Sequence, residues 1–535
     1  MIMRGMSDIL EDERLALQSE LDAEKTQAER NRLGQFGTPT FLAVEILKYA
    51  STLLPKNQKV HFFDPAVGTG AFFSALRKVF PEKRIVEAIG FEIDPQYAKP
   101  ASRFWAKLGF TIKLADFTEE EPSARFNLLI CNPPYVRHHH LNSEDKNRLQ
   151  LRNRNASGMN LNGLAGLYCH FLGLSHPWMA EGGIAGWLIP SEFMDVNYGL
   201  ALKRYLLHQT TLLHIHRFDP NDVQFSDALV SSAIVWFKKS VPPKEHTVKF
   251  TYGGTLLKPK LSREIPAKVL VHEPKWSRFP ATNIRPKKRC TILSDFFQIK
   301  RGVATGDNKF FILDSKQILV HRLPMQVFCP ILPSPRYLPK DQVASDMNGL
   351  PLIKRQLFLL NTQLPEDEVK VRFPPLFIYL QEGKSRGIHQ RYLCRHRSPW
   401  YSQEYRPPAP IVCTYLGRSD TKSGRPFRFI LNNSIATVAN VYLAMYPMAN
   451  LVRAMNRDHT LTHRIWKVLN GITPDKLLGE GRVYGGGLHK LEPSELGNVD
   501  ATAIAELIPD IEVTPRAEQL ELFDESTAQI ALLQK

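Results

Sequence analysis

The quartet Asn132-Pro-Pro-Tyr135 closes an apolar run, Leu128-Leu-Ile-Cys131. Two successive prolines fix their φ angles and favour an extended chain. Pro133 and Pro134 therefore present the Asn132 side chain and the Pro133 carbonyl as neighbouring acceptors beside the Tyr135 ring. Two acceptors and a π-face suit a flat heterocycle bearing an exocyclic NH2. The run has the length and composition of a buried parallel strand, and prolines cannot donate to a sheet ladder, so the strand must end there. The quartet is thus predicted on a rigid loop at the carboxyl edge of an α/β sheet, the edge at which open α/β folds bind ligands.

The segments upstream supply that sheet. Val60-His-Phe-Phe-Asp-Pro-Ala-Val-Gly-Thr-Gly-Ala-Phe-Phe-Ser74 reads as strand, glycine loop and helix. Gly68 and Gly70 allow close backbone approach to a ligand, and Asp64, Pro65 and Ala66 lie where strand gives way to loop. The loop lacks the third glycine of a dinucleotide fingerprint and the Lys-Ser/Thr of a P-loop, which argues against NAD and against ATP phosphates. A second strand, Glu87-Ala-Ile-Gly-Phe-Glu-Ile-Asp94, ends in acids at the spacing from the glycine loop at which a carboxylate takes ribose hydroxyls. A third ends at Asp116-Phe117. Before them all, Gly34-Gln-Phe-Gly-Thr-Pro-Thr-Phe41 precedes a helix-like stretch, with Thr38 as expected N-cap and Pro39 at the first helical position. Residues 7 to 33, free of proline and glycine, read as a helix with apolar positions too sparse for a coiled coil.

A net charge of +16 over 535 residues points to a polyanionic partner. The length allows two or three domains. No stretch approaches the apolar run a spanning helix needs, and the six cysteines form no C-x-x-C pair. Neither a zinc cage nor a disulfide framework is indicated, and the expected compartment is the cytoplasm.

As an ordered set, Gln35-Phe-Gly-Thr-Pro39, Asp64-Pro-Ala-Val-Gly-Thr-Gly70, Gly90-Phe-Glu-Ile-Asp94, Ala115-Asp-Phe117 and Asn132-Pro-Pro-Tyr135 resemble the class I S-adenosylmethionine-dependent methyltransferases. Within them the order is similar to that of the γ-type adenine-N6 DNA methyltransferases. The resemblance implies an α/β fold: a Rossmann-like class I methyltransferase domain with a mostly parallel, doubly wound sheet, then a mixed α+β target-recognition domain. It implies S-adenosyl-L-methionine as cofactor. Thr38 and the loop of Asp64, Pro65, Ala66, Gly68 and Gly70 would hold its methionine part, Glu92 its ribose, and Asp116 with Phe117 its adenine. Phe36, Pro39, Ile93 and Asn132 are further expected cofactor contacts. Asn132, Pro133, Pro134 and Tyr135 become catalytic, and Phe225 is the match for an aromatic that packs on the target base opposite Tyr135. Val67 departs from the cysteine often found in the glycine loop.

After the quartet, His138-His-His140 invites a metal reading, but adjacent side chains rarely converge on one ion. His138 and His139 are expected on a DNA-facing loop, with residues 141 to 163 as a polar flap. Residues 242 to 290, basic and proline-punctuated, read as a linker along a phosphate backbone, separating a methyltransferase domain (34 to 241) from a target-recognition domain (291 to 500). An N-terminal helix (1 to 33) and an acidic helical tail (501 to 535) flank them. The stretch 384 to 428 interleaves arginines with aromatics, the residue types that base edges and unstacked bases require. Arg397, Trp400, Tyr401 and Arg418 are its candidate DNA-binding residues. Arg397-Ser-Pro-Trp-Tyr401 and Tyr484-Gly-Gly-Gly-Leu-His-Lys-Leu-Glu-Pro493 are similar to those of the PstI/BsuBI-type adenine methyltransferases, which implies a CTGCAG-like site.

The expectation is a site-specific methylase of double-stranded DNA, acting as a monomer, with a cognate restriction endonuclease as genetic rather than physical partner. Two alternatives stand beside it. One is a protein-glutamine methyltransferase, whose substrate amide presents a similar NH2. The other is a non-catalytic DNA specificity subunit. Glu368-Val-Lys370 has the spacing of a nuclease pair but no convincing partner acid.

Overall fold

A computed structural model describes residues 6–123, 125–219, 231–280, 291–418, 425–484 and 488–509. The chain divides near residue 285 into two units, each with its own core. In the first, nine strands of the described residues make one sheet: β1 (Val60–Asp64), β2 (Ile85–Glu92), β3 (Phe110–Leu114), β4 (Phe126–Cys131), β5 (Met179–Pro190), β6 (Thr211–Arg217), β7 (Ser232–Lys238), β8 (Thr247–Gly254) and β9 (Pro259–Pro266). Their spatial order is β3-β2-β1-β4-β5-β7-β6-β8-β9. The first five run parallel, and β7 is antiparallel to both β5 and β6. Strand order reverses between β1 and β4, which makes a crevice at their carboxyl ends.

Period-two alternation along the central strands buries both faces. Phe62, Leu128 and Ile130 pack against one core with the helices Thr40–Leu53, Ala71–Val79 and Pro95–Trp105. Phe63, Leu129 and Cys131 pack against another with Leu167–Leu174 and Gly199–His208. The predicted strand ending at Cys131 is therefore a central strand, fully buried except at Asn127.

Two expectations are corrected here. Residues 141 to 163 are not a flap: Asn142 caps the helix Ser143–Ser157, accepting from the Asp145 amide at 2.8 Å. Leu149 and Asn153 of that helix are buried, and Asn153 Nδ2 meets His170 Nδ1 at 2.9 Å. Its arginines turn to protein groups, Arg148 to Glu119 at 3.1 Å and Arg152 to the Glu120 carbonyl at 3.0 Å. The stretch from 242 is not a linker either. β8 lies parallel to β6 and pairs with β9, and Trp276 is fully buried, donating to the Leu270 carbonyl at 3.1 Å. The buried Lys203 ammonium sits 5.4 Å from that indole and donates to the Pro274 carbonyl at 2.6 Å. Basic side chains along an edge hairpin look like a linker in sequence because only alternate positions face inward. Residues 281–290 lie outside the described residues.

The second unit is mixed α+β, as expected, its described residues forming sheets of five, four and three strands. The five-stranded sheet includes Phe297–Arg301, Tyr442–Pro447, Ile411–Thr414 and Phe429–Asn432, with the helix Leu461–Gly471 on it. Among the described residues no helix is long and apolar enough to cross a membrane.

Replacing Trp276 by Ala tests whether this hairpin segment belongs to the first unit. Urea unfolding is expected to show a loss of about 3 to 5 kcal/mol, the cost of emptying a buried indole site; an unchanged midpoint returns residues 242 to 280 to linker status.

Candidate active site at the carboxyl edge of the sheet

A cavity of about 880 Å³ opens over the carboxyl ends of β1 to β4. Phe36, Thr38, Pro65, Ala66, Gly68, Glu92, Ile93, Asp116, Phe117, Asn132 and Pro134 all line it. One pocket thus gathers residues spread over a hundred positions of sequence. Pro39, Asp64, Gly70, Pro133 and Tyr135 are not among its lining residues.

The glycine loop explains part of that division. Gly68 has φ +55°, and a Cβ placed on it meets nothing, so this glycine keeps the backbone open to the cavity. Gly70, at φ +87°, serves packing instead: a Cβ there would fall 2.4 Å from Trp105 Nε1, whose N–H donates to the Thr69 carbonyl at 2.8 Å. Glu92, at the end of β2, accepts from the Gly68 and Asp94 amides, each at 2.9 Å. Burial raises its pKa against the pull of those amides. Asp116 accepts from the Thr118 amide at 2.8 Å, which fixes the turn after β3.

Thr38 is not the predicted N-cap. The helix starts at Thr40, and Pro39 occupies the cap position without a side-chain bond. Thr38 instead turns to the end of β4. Asn132 Nδ2 donates to Thr38 Oγ1 at 3.1 Å and to the Phe36 carbonyl at 3.2 Å. A carbonyl accepts only, so the amide cannot be reversed without setting oxygen against oxygen. Asn132 Oδ1 is left buried and without a hydrogen-bond partner among the described residues. A buried orphan acceptor costs about 1 to 3 kcal/mol and calls for a reason.

Tyr135 is half-buried. Its hydroxyl donates to the Leu188 carbonyl of β5 at 3.0 Å, its ring lies 5.8 Å from Phe36, and burial pushes its pKa up. The 34–39 loop runs alongside the quartet, and Gly34, at φ +67°, lies so close that a Cβ would sit 2.5 Å from the Tyr135 nitrogen. Phe225 lies outside the described residues.

Charge distinguishes this cavity from the rest of the molecule. Asp22, Glu92, Asp94, Asp116, Glu119 and Asp145 line it against one guanidinium, Arg148, in a chain of net charge +16. An acidic crevice repels phosphate-bearing cofactors and favours a cationic one. A nucleoside carrying a sulfonium and an ammonium suits carboxylates at two strand ends, an open glycine backbone and the apolar faces of Phe36, Ile93 and Phe117. Asp64 lies beneath the floor, where burial and the nearby Glu92 lift its pKa to about 8 despite the Ala66 amide. Sequence reasoning missed Gln18 and Asp22 of the first helix and Arg148, Leu149, Leu167 and Phe171 behind β3 and β4. The i,i+4 spacing of Gln18 and Asp22 was the available signal.

The nucleic-acid candidates fare differently. His138 is half-buried in a turn with His140, a cavity-lining residue; the side chain of His139 lies outside the described residues. In the second unit Arg397 donates to the Thr305 carbonyl at 2.9 Å and the Ala304 carbonyl at 2.5 Å. Tyr401 is fully buried with its hydroxyl on the Leu364 carbonyl at 2.5 Å, and Trp400 packs 5.9 Å from Phe310. Tyr401 is thereby corrected from DNA-binding to a core residue, whereas Arg397 and Trp400 are half-buried and keep part of their surface open. Arg418 is exposed on the edge of the three-stranded sheet, and Tyr392 and Tyr405 are 69% and 77% exposed.

The sheet order, the glycine loop after β1 and the acidic pocket over the switch point are those of the class I S-adenosylmethionine-dependent methyltransferase fold. Two family models match the chain: the Eco57I restriction-modification methylase over residues 77–224, and the C-terminal domain of the Type II methyltransferase M.Eco57I over residues 277–531. Type II methyltransferase M.XamI of Xanthomonas campestris pv. amaranthicola is 28% identical over 87% of this chain and 84% of its own length. M.AccI of Acinetobacter calcoaceticus is 27% identical over 87% and 85%. M.BsuBI of Bacillus subtilis is 29% identical over 37% of this chain and 42% of its own. Among solved structures, the Type IIL restriction-modification enzyme MmeI in complex with DNA shares the fold, with TM-score 0.52 and 14% identity over 83% of this chain and 67% of that one. Over most of its length the chain is similar to type II methyltransferases.

Asp64 makes stability depend on pH. Its native pKa of about 8 exceeds the ordinary 3.8, so the native state holds a proton that the unfolded chain releases, and stability falls as pH rises between those values. Asp64→Asn removes the ionisation. Its thermal midpoint is expected to fall less than that of the unaltered protein between pH 6 and 8; parallel decline in both would contradict the buried, protonated carboxyl.

Proposed function

We propose that this protein is a site-specific adenine-N6 methyltransferase of double-stranded DNA, the modification half of a type II system. The orphaned Asn132 Oδ1 carries the reading: an acceptor fixed at the end of β4, its amide held by Phe36 and Thr38.

S-adenosylmethionine, when bound, supplies a methyl group on a sulfonium. Glu92 would hold its ribose, Asp116 and Phe117 its adenine, and the 65–68 backbone with Phe36 and Thr38 its methionine part. An adenine amino group lies inside the duplex, so the base must leave the stack at a cost of a few kcal/mol. The Tyr135 ring, tethered through its hydroxyl, is the proposed plate on which that base stacks, recovering about 1 to 3 kcal/mol. Phe225 is the proposed second plate.

The amino nitrogen is a weak nucleophile because its lone pair is delocalised into the ring. Asn132 Oδ1 and the Pro133 carbonyl accept from the NH2 and favour the more tetrahedral nitrogen of the transition state. No full deprotonation is needed beforehand, and no cysteine nucleophile takes part. Because the acceptors are fixed before the base arrives, little reorganisation accompanies the reaction.

The acidic pocket takes the cofactor, and the basic remainder of the chain supports a DNA partner. The likeness to type II methyltransferases over 87% of the chain supports this reading over protein-glutamine methylation, and the assembled pocket over a non-catalytic specificity subunit. A separate endonuclease, a monomer on DNA and the cytoplasm complete the proposal. The likeness to M.BsuBI covers only 37% of the chain, so the CTGCAG site rests on a minority of its length.

Asn132→Ala is expected to lower methyl transfer by about 100-fold or more, the loss typical of one fixed transition-state acceptor or donor, while S-adenosylhomocysteine still binds. Turnover equal to the unaltered protein refutes the role. Single-molecule sequencing of DNA from cells expressing the chain should show N6-methyladenine at one short sequence; methylcytosine, or no mark, contradicts it.

A further inference from the structure

We propose that the N-terminal helix Met6–Ala23 is a wall of the cofactor site, and that Gln18 and Asp22 on it bind the amino-acid end of S-adenosylmethionine. This rests on the cofactor reading above.

Glu11, Arg14, Gln18 and Asp22 recur at helical spacing on one face. Arg14 and Glu11 are 1% and 4% exposed. The guanidinium grips Glu11 through Nε at 2.9 Å and a terminal nitrogen at 2.5 Å, and donates to the Thr69 hydroxyl at 2.9 Å. Glu11 also accepts from the hydroxyls of Thr40 and Ser74. One buried pair therefore joins the helix to the glycine loop, to the helix after it, and to the start of Thr40–Leu53. A buried ion pair is a poor source of net stability, because desolvation offsets its Coulombic gain. Its geometric effect is to fix the helix against the loop that lines the cavity.

Beyond Arg14 the same face reaches that cavity. Thr69 donates to Gln18 Oε1 at 2.5 Å, and Gln18 Nε2 donates to Asp22 Oδ1 at 2.9 Å. Tyr97 donates to the same oxygen at 2.6 Å, and Arg30 lies 3.5 Å from Oδ2. Gln18 also abuts the 34–39 loop: a Cβ on Gly37 would lie 3.5 Å from its amide. It thus stands between the two segments proposed to hold the methionine part, and both Gln18 and Asp22 line the cavity. An ammonium group is a donor of three hydrogen bonds with no acceptor. A carboxylate and a side-chain carbonyl at that end are the complement it needs.

Isothermal titration of the full-length protein with two ligands decides the matter. S-adenosylhomocysteine carries the amino-acid end, and 5′-methylthioadenosine has the same nucleoside and thioether without it. Gln18→Ala and Asp22→Asn should each weaken S-adenosylhomocysteine by about 10-fold, the loss of a hydrogen bond to a charged group, and leave methylthioadenosine within about twofold. Equal losses for both ligands, or none for either, overturn the proposal. If neither ligand binds the unaltered protein, the cofactor reading itself fails, and this one with it.

Discussion

An asparagine side chain has a donor end and an acceptor end, and the account of this protein depends on which way one of them points. The donor end of Asn132 is committed to Phe36 and Thr38, so its oxygen is presented without a partner among the described residues. The arrangement requires three separate pieces of chain. β4 must stop where the prolines stop it, the 34–39 loop must lie against the quartet, and Gly34 must allow that approach, since a Cβ there would sit 2.5 Å from the Tyr135 nitrogen. Moving any one of them frees the amide to turn, and the acceptor is lost.

The sheet converts these local requirements into a site. Strand order reverses between β1 and β4, so the glycine loop, Glu92, Asp116 and Asn132 emerge around one crevice. Alternate residues of the same strands fill two cores, which leaves the strand ends little freedom to shift. Charge is sorted in the same step. Six carboxylates gather at the crevice while the chain as a whole remains strongly basic. A cationic cofactor and a polyanionic substrate thereby meet fields of opposite sign on one molecule.

The strands and the site were legible in sequence where local chemistry constrained them: an apolar run that must stop at two prolines, glycines that permit close approach, acids at strand ends. Reading failed where the determining contact was distant. Thr38 looked like a helix cap, since nothing near it reveals Asn132 94 positions later. The 242–280 segment looked like a linker because its hairpin faces solvent on one side, while Trp276 anchors it from the other. Tyr401 has the residue type of a DNA-facing aromatic, yet it fills a core with its hydroxyl on the Leu364 carbonyl. The first helix showed the spacing of Gln18 and Asp22 but not the cavity they face.

The orientation of the Asn132 amide is most directly tested by a crystal structure of the complex with S-adenosylhomocysteine and duplex DNA containing the methylated sequence. The account predicts an adenine outside the helix, its amino nitrogen within hydrogen-bonding distance of Asn132 Oδ1 and the Pro133 carbonyl. A target base still stacked in the duplex, or Asn132 turned with Nδ2 toward it, would contradict the account.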